Sequence, residues 1–203
     1  MCPANLDEPD LIPGTSTLAL VLGIRVDEDV FLRLHEERHA EDLFRLTDDN
    51  RDHLRPWMPW VYGTTSPDDT RRFLREVLQK LAAGREYGFA VLDRGRLVGA
   101  MGLRVAEDTH ETEVGYWLSA EAQGRGIITR ATQALVRFSF EELGMDRVVI
   151  LCASDNVRSR AVPERLGFTL EGTLRRRDLV PGREPRDQIV YSLLRSEWEE
   201  STS

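Results

Sequence analysis

Gly115-Tyr116-Trp117-Leu118-Ser119-Ala120-Glu121-Ala122-Gln123-Gly124-Arg125-Gly126-Ile127-Ile128-Thr129 is the stretch that decides the fold of this 203-residue chain. It passes from a strand-like segment through a turn with two glycines into the first turn of a helix, leaving successive main-chain N–H groups without internal partners. The helix dipole adds roughly half a positive charge at the same place, which suits a phosphate group. Gly124 and Gly126 lack a Cβ, so the backbone there takes unusual dihedrals and approaches bulky oxygens closely. Two better-known phosphate motifs are excluded. The loop of nucleotide hydrolases needs Lys and then Ser or Thr after its last glycine, where this chain has Ile127-Ile128. A dinucleotide fingerprint needs a third small residue, and position 129 is Thr.

Working outward, the apolar pattern places the other elements. Glu111 to Leu118 reads as a strand, preceded by a hairpin of Tyr87 to Leu92 and Leu97 to Val105 about Asp93-Arg94-Gly95. Ser66-Pro67-Asp68-Asp69 opens a helix, with Ser as N-cap, Pro in the first turn and carboxylates near the positive end of the dipole; Gly84 stops it. Earlier, His39 to Leu46 has amphipathic helical spacing, and Leu18 to Val26 and Val30 to Leu34 read as strands joined by Asp27-Glu28-Asp29. Downstream, Ile127 to Leu143 is a helix ending at Gly144, and Val148 to Ala153 is a strand parallel to Glu111–Leu118 if that helix is a crossover. Asn156 to Leu166 is a short helix, and Phe168 to Arg176 with Asp187 to Leu194 closes the sheet as a hairpin. Residues 1–17, rich in Pro, Gly, Thr and acidic groups, read as a flexible extension, and 18–200 as a single domain. The fold class is mixed α/β in three layers, a mostly antiparallel twisted sheet with one parallel pair, flanked by helices.

With 27 basic against 35 acidic residues, the formal charge of −8 argues against nucleic acid and anionic membrane surfaces as partners, and leaves cationic or amine-bearing ones open. No apolar run reaches the ~18–20 residues of a membrane span, and the first residues lack the basic-then-apolar layout of a secretory leader, so a cytoplasmic protein is expected. Two cysteines, Cys2 and Cys152, make no disulfide framework, and His35, His39, His53 and His110 show no zinc-ligand spacing; no metal is assigned.

The order of elements, with the glycine turn after the third strand of a meander, resembles the GNAT superfamily of acyl-coenzyme A N-acyltransferases over about residues 18–198. The resemblance implies acetyl-CoA as co-substrate. Gln123, Gly124, Arg125, Gly126, Ile127, Ile128 and Thr129 would hold its diphosphate through main-chain amides, and the strand through Trp117 and Leu118 would pair with the pantetheine arm, the parallel strands splaying around it. One departure is Glu121, where the family often has Arg or Gln. Asp155-Asn156-Val157-Arg158-Ser159-Arg160-Ala161-Val162-Pro163-Glu164-Arg165-Leu166-Gly167-Phe168 is similar to a second family segment, in which the Asn156 amide contacts coenzyme A. Many members carry there a Tyr that protonates the departing thiolate, and this chain has Pro163 in its slot. Pro163 cannot donate to the carbonyl of Ser159, so a kink is expected that leaves Ser159 on the first turn with its hydroxyl free to hydrogen-bond the coenzyme A sulfur. Asp49-Asn50-Arg51-Asp52-His53-Leu54-Arg55-Pro56-Trp57-Met58-Pro59-Trp60-Val61 resembles the acceptor-side segment of the ribosomal-protein N-terminal acetyltransferases, the Rim group, making Asn50, Trp57 and Trp60 candidate acceptor contacts. That likeness implies the N-terminal α-amine of a ribosomal protein as acceptor, and a homodimer to which Ile189 to Leu194 could contribute.

Acyl transfer from a thioester to an amine needs a neutral amine, a donor for the oxyanion and help for the leaving thiolate. An α-amine with pKa about 7.7–8.0 is roughly one-tenth neutral at pH 7, against a few in ten thousand for a lysine near 10.4, so an N-terminal acceptor needs only a weak base. Period-two alternation puts Glu111, Glu113, Gly115 and Trp117 on one face, making Glu113 the first candidate base. Asp178, resembling an acidic residue of the Rim-like group, is the second. Main-chain N–H groups around Trp117-Leu118 are expected to receive the oxyanion, with Gly115 marking a bulge that splays the strand. Neither cysteine falls near the glycine turn on this reading, which favours direct transfer in a ternary complex over an acyl-enzyme. Three rivals stay open: a small-molecule amine such as an antibiotic or polyamine, a longer donor such as succinyl-CoA, and a non-catalytic acyl-CoA sensor.

Overall fold

A computed structural model describes residues 23–202. The extension expected over 1–17 and the start of the strand expected at Leu18 lie outside the described residues. Among the described residues eight strands form one sheet: β1 (Gly23–Arg25), β2 (Val30–Leu34), β3 (Glu86–Asp93), β4 (Arg96–Ala106), β5 (Glu111–Leu118), β6 (Arg147–Ala153), β7 (Thr169–Asp178) and β8 (Arg186–Leu194). Their order is β1-β2-β3-β4-β5-β6-β8-β7, antiparallel throughout except for the parallel pair β5 and β6. Local chemistry sets the turns. Asp27 Oδ1 accepts from the N–H groups of Asp29 and Val30 at 2.9 and 2.8 Å, closing β1 onto β2. Arg94 and Gly95, at φ 51° and 73°, make the two-residue left-handed turn that matches strand twist between β3 and β4.

Among the described residues the helices on the sheet are α1 (Ala40–Asp49), α2 (Arg51–Leu54), α3 (Pro67–Ala82), α4 (Ile127–Glu141), α5 (Val157–Arg165) and α6 (Arg195–Thr202). The opening expected at Ser66 is present as a reciprocal capping box with Asp69, whose carboxyl is held down to about 2 by the N–H of Thr65 and the hydroxyl of Ser66. Helices α1 and α3 pack through Leu43 and Leu74 against Ala100 and Trp117 on one face. On the other, Ala131, Leu135 and Phe138 of α4 meet Met101, Leu103, Val114 and Leu118. Strand alternation alone sends Ala100 to one side and Met101 and Leu103 to the other. Leu103 and Leu135 are fully buried, each contributing about 2–3 kcal/mol against exposure.

The functional geometry comes from how β5 and β6 part. They pair only at Glu111 with Arg147, Thr112 with Val148 and Glu113 with Val149. Beyond Glu113, β5 stays registered with β4 as far as Leu118, while β6 stays with β8 as far as Ala153. At the closed end Arg147 bridges Glu111, at 2.7 Å, and Glu171. Its guanidinium and the Ser192 hydroxyl hold the Glu171 carboxyl at about 2. The bulge expected at Gly115 is absent, since the β4–β5 register runs unbroken past it; the slip lies at Val91/Leu92 in the β3–β4 pair instead. The strands separate because each keeps its other neighbour. Helix α5 runs from Val157 to Arg165 with Pro163 inside it, as the expected span of Asn156 to Leu166 requires. The last helix, α6, was not anticipated: its sequence is polar, and it is anchored by Arg195, which donates to the carbonyls of Phe140 and Met145, and by Trp198 stacked 5.3 Å from Phe140. Among the described residues no helix is long and apolar enough to cross a membrane.

Candidate active site

At one end of the splay, the glycine turn opens α4. Gly124 and Gly126 have φ of 76° and 69°, in the left-handed region that disfavours a side chain. Gly126 is the N-cap and offers no side-chain acceptor, so the N–H groups of the first turn, through Ile127, Ile128 and Thr129, are not capped from within. Ile127 is buried in the core and fixes the helix axis, while Gly124, Arg125 and Gly126 are exposed. A Cβ added at Gly124 would meet nothing within 4 Å, so the turn faces open space. Arg125 pairs with Asp93 at 2.7 Å and Arg130 with Asp27 at 2.6 Å, which ties the turn to the β1–β2 and β3–β4 ends of the sheet. Amides in this arrangement fit a diphosphate, as coenzyme A carries.

Along the splay runs the unpaired edge of β5. The N–H of Ser119 donates to Val98 of β4, so alternation turns the N–H of Trp117 to β4 as well and those of Tyr116 and Leu118 to the open edge. The pair expected to receive the oxyanion is therefore divided: Leu118 presents its amide to the splay, and Trp117 presents its ring to the cavity. Across the gap, Asn156 caps α5 by accepting from the N–H of Ser159 at 3.2 Å, leaving its own amide N–H groups unused by the cap. Ser159 is half-buried. Its hydroxyl is not free, as expected from a kink, but donates to Tyr116 Oη at 3.2 Å and lies 3.2 Å from Cys152 Sγ. Tyr116 in turn donates to the Ser159 carbonyl at 3.0 Å. Cys152 lines the same cavity; burial raises its pKa and keeps it a thiol, a poor nucleophile.

A cavity of about 750 Å³ joins these groups to the acceptor-side segment. Glu113 on β5 and Asp178 at the end of β7 both line it. Glu113 accepts from Arg104, and Asp178 from Arg186. Arg186 is the organising cation here. It donates to the carbonyl of Pro56 at 2.8 Å, pairs with Asp178 and Asp155, and lies 4.8 Å from the Trp57 ring centroid. Trp57 and Trp60 line the cavity; Trp60 is 41% exposed and tilted against Trp117 at 5.9 Å, a wall rather than core packing. Arg51 fixes the segment's path by donating to the carbonyls of Val61 and Thr64 at 2.9 and 2.6 Å.

Asn50 does not join that wall. Its oxygen accepts from the N–H of Ala120 at 2.9 Å and its amide donates to the carbonyl of Leu46, so it locks the acceptor-side segment onto the chain entering the glycine turn. A second lock lies alongside: His53 Nε2 and Gln123 Nε2 are 2.7 Å apart, and Arg158 donates to the Gln123 oxygen. Desolvation lowers the His53 pKa, favouring the neutral ring. Tyr116, Cys152, His53 and Arg186 were missed as site residues. Only Tyr116 had a signal, the carbonyl that Pro163 leaves without a donor. Among the described residues, no group of His, Cys, Asp and Glu is arranged to hold a metal ion.

Comparison with known proteins fits this geometry. The acetyltransferase (GNAT) domain family matches residues 29–169. "Putative ribosomal N-acetyltransferase YdaF" of Bacillus subtilis (strain 168) is 37% identical over 179 residues, spanning 86% of this chain and 96% of its own. The ribosomal-protein-serine acetyltransferase of Escherichia coli (strain K12) is 32% identical over 158 residues, 77% of this chain and 88% of its own. In solved structures, RimL, a ribosomal L7/L12 alpha-N-protein acetyltransferase in complex with coenzyme A, superposes with a TM-score of 0.83 at 26% identity, covering 86% of this chain and 99% of that one. The microcin C7 self-immunity acetyltransferase MccE, in complex with acetyl-CoA and AMP, does so with 0.80 at 28% identity, covering 85% and 96%.

Proposed function

The chain belongs to the GNAT acetyltransferase family and is an acetyl-CoA-dependent N-acetyltransferase; from that premise we propose that its acceptor is the N-terminal α-amine of a protein, with ribosomal proteins as the substrate class. The observation that carries the reading is the continuity of one cavity from the Tyr116–Ser159 pair to the Trp57–Trp60 wall, with Glu113 and Asp178 facing it. Relatives named for ribosomal acceptors, YdaF and the Escherichia coli serine acetyltransferase, support it. So does a formal charge of −8, which attracts basic polypeptides.

Acetyl-CoA supplies a thioester whose carbonyl carbon accepts the amine. The residues of this chain hold and tune that event. Amides from Gln123 to Thr129 grip the diphosphate, the open edge at Leu118 receives the pantetheine arm or the oxyanion, and the Asn156 amide steadies the arm from α5. Glu113 or Asp178 takes the proton of the incoming ammonium, directly or through water. Ser159 lends a hydrogen bond to the departing sulfur. Transfer is direct: Cys152, though close, is held as a thiol. Two copies of the chain form the working assembly in this reading, and residues 18–200 act as one catalytic domain.

MccE motivates one alternative, a small-molecule amine acceptor, because that enzyme has a similar fold and is an immunity acetyltransferase. Thiol release with a basic peptide bearing a free N-terminus, the same peptide N-terminally blocked with an internal lysine, and a polyamine separates the readings. Turnover is expected on the free peptide; turnover on the polyamine alone contradicts the proposal. In the same assay the pH–rate profile of Glu113→Gln or Asp178→Asn should lose its acidic limb for whichever residue is the base.

A further inference from the structure

Helix α5 contains an orphaned carbonyl. Pro163 has no N–H, so the carbonyl of Ser159, four residues earlier, is denied its helical donor. A donor arrives from a different element: the Tyr116 hydroxyl reaches from β5 across the splay and donates to that carbonyl at 3.0 Å. Ser159 Oγ donates back to the phenol oxygen at 3.2 Å, and Cys152 Sγ stands 3.2 Å from Ser159 Oγ. Counting protons fixes the direction of this chain. A carbonyl only accepts, so the phenol proton is committed to it and the phenol oxygen is left to accept from Ser159; the Ser159 lone pairs then face the Cys152 thiol.

We propose that Tyr116 is a positioning residue for Ser159, gripping its carbonyl and its hydroxyl together and so fixing the rotamer that aims Oγ into the cavity. The proposal rests on Ser159 being the donor to the departing sulfur. No O–H bond breaks in this role. An alkoxide is a far stronger base than a thiolate, so Ser159 keeps its proton: its one O–H, which rests on the phenol oxygen in the free protein, turns about the Cβ–Oγ bond to donate to the departing sulfur, and the proton that ends on the thiol product is one the amine nitrogen loses. Burial pushes the Tyr116 phenol well above its ordinary range, so it too stays protonated and remains a donor. Pro163 belongs to the same device, since an N–H at that position would compete with Tyr116 for the carbonyl.

Tyr116→Phe keeps the ring and removes the hydroxyl. Its kcat is expected to fall about tenfold with the KM for acetyl-CoA unchanged, the loss of one well-made hydrogen bond at the reacting end. In a Ser159→Ala background the same change should alter kcat by less than about twofold, because both substitutions remove one coupled unit. Tyr116→Phe also orphans the carbonyl, and the double variant Tyr116→Phe/Pro163→Ala returns an N–H to it. That variant should recover the wild-type Tm and keep the low kcat. Wild-type kcat in it, or independent and multiplying losses from Tyr116→Phe and Ser159→Ala, would overturn the proposal. A Ser159→Ala enzyme with undiminished kcat would instead remove the Ser159 assignment, and the positioning role with it.

Discussion

At the scale of single residues, much of this site is set by groups held in one protonation state. His35 is the clearest. It is 3% exposed beside Phe73, and burial, aided by the neighbouring His39, holds its pKa at about 3 against an ordinary 6.5. The unfolded chain therefore takes up this proton first. Stability contributed by neutral His35 is full above about pH 6.5 and falls as pH drops towards 3, with a slope of up to roughly 1.4 kcal/mol per pH unit. Denaturant titrations between pH 4 and 7 should show a shallower pH slope for His35→Phe than for the wild type; an unchanged slope would mean that His35 is not buried neutral. Residue chemistry also explains why Asn50 was misplaced from sequence. An Asn beside an aromatic loop reads equally as a ligand contact or as a turn lock, and only the Ala120 N–H, 70 positions away, decides between them.

Elements are where the sequence was most readable. Glu111–Leu118 was legible to the residue because alternation, the following glycines and a 15-residue amphipathic helix each mark a boundary. The parallel pairing with β6 followed from that helix being a crossover. Two things were not legible. Helix α6 has a polar sequence, and its anchors Arg195 and Trp198 act through partners on α4 and the chain after it. Arg186 draws Pro56, Trp57 and Asp178 together over a separation of 130 positions for its Pro56 contact, and no local pattern records such a convergence. The glycine turn makes its own test. Gly126→Ala forces a side chain into φ 69° at a strain of about 1–2 kcal/mol and puts its Cβ 3.2 Å from Arg130. The expected outcome in a thermal melt and a kinetic assay is a lowered Tm with a raised KM for acetyl-CoA and little change in kcat. Unaltered KM would mean that the turn does not carry the diphosphate.

Across the whole molecule, donor and acceptor ends are mechanically joined. The Asn50–Ala120 and His53–Gln123–Arg158 contacts tie the acceptor-side segment, the glycine turn and α5 into one frame, while the Arg147 bridges close the far end of the splay. Each strand of the parallel pair is held by its outer neighbour along the opening. Recognition in such a frame should depend on the nucleotide end of the donor, where the rigid amides are, more than on the acetyl group. Calorimetric titration of the wild-type protein with acetyl-CoA and, separately, with acetyl-pantetheine lacking the nucleotide and its diphosphate measures this directly. Saturable one-site heat with acetyl-CoA and none with acetyl-pantetheine is the expected result; no heat with acetyl-CoA, or equal affinity for the two, would contradict a diphosphate held by the amides of Gln123 to Thr129.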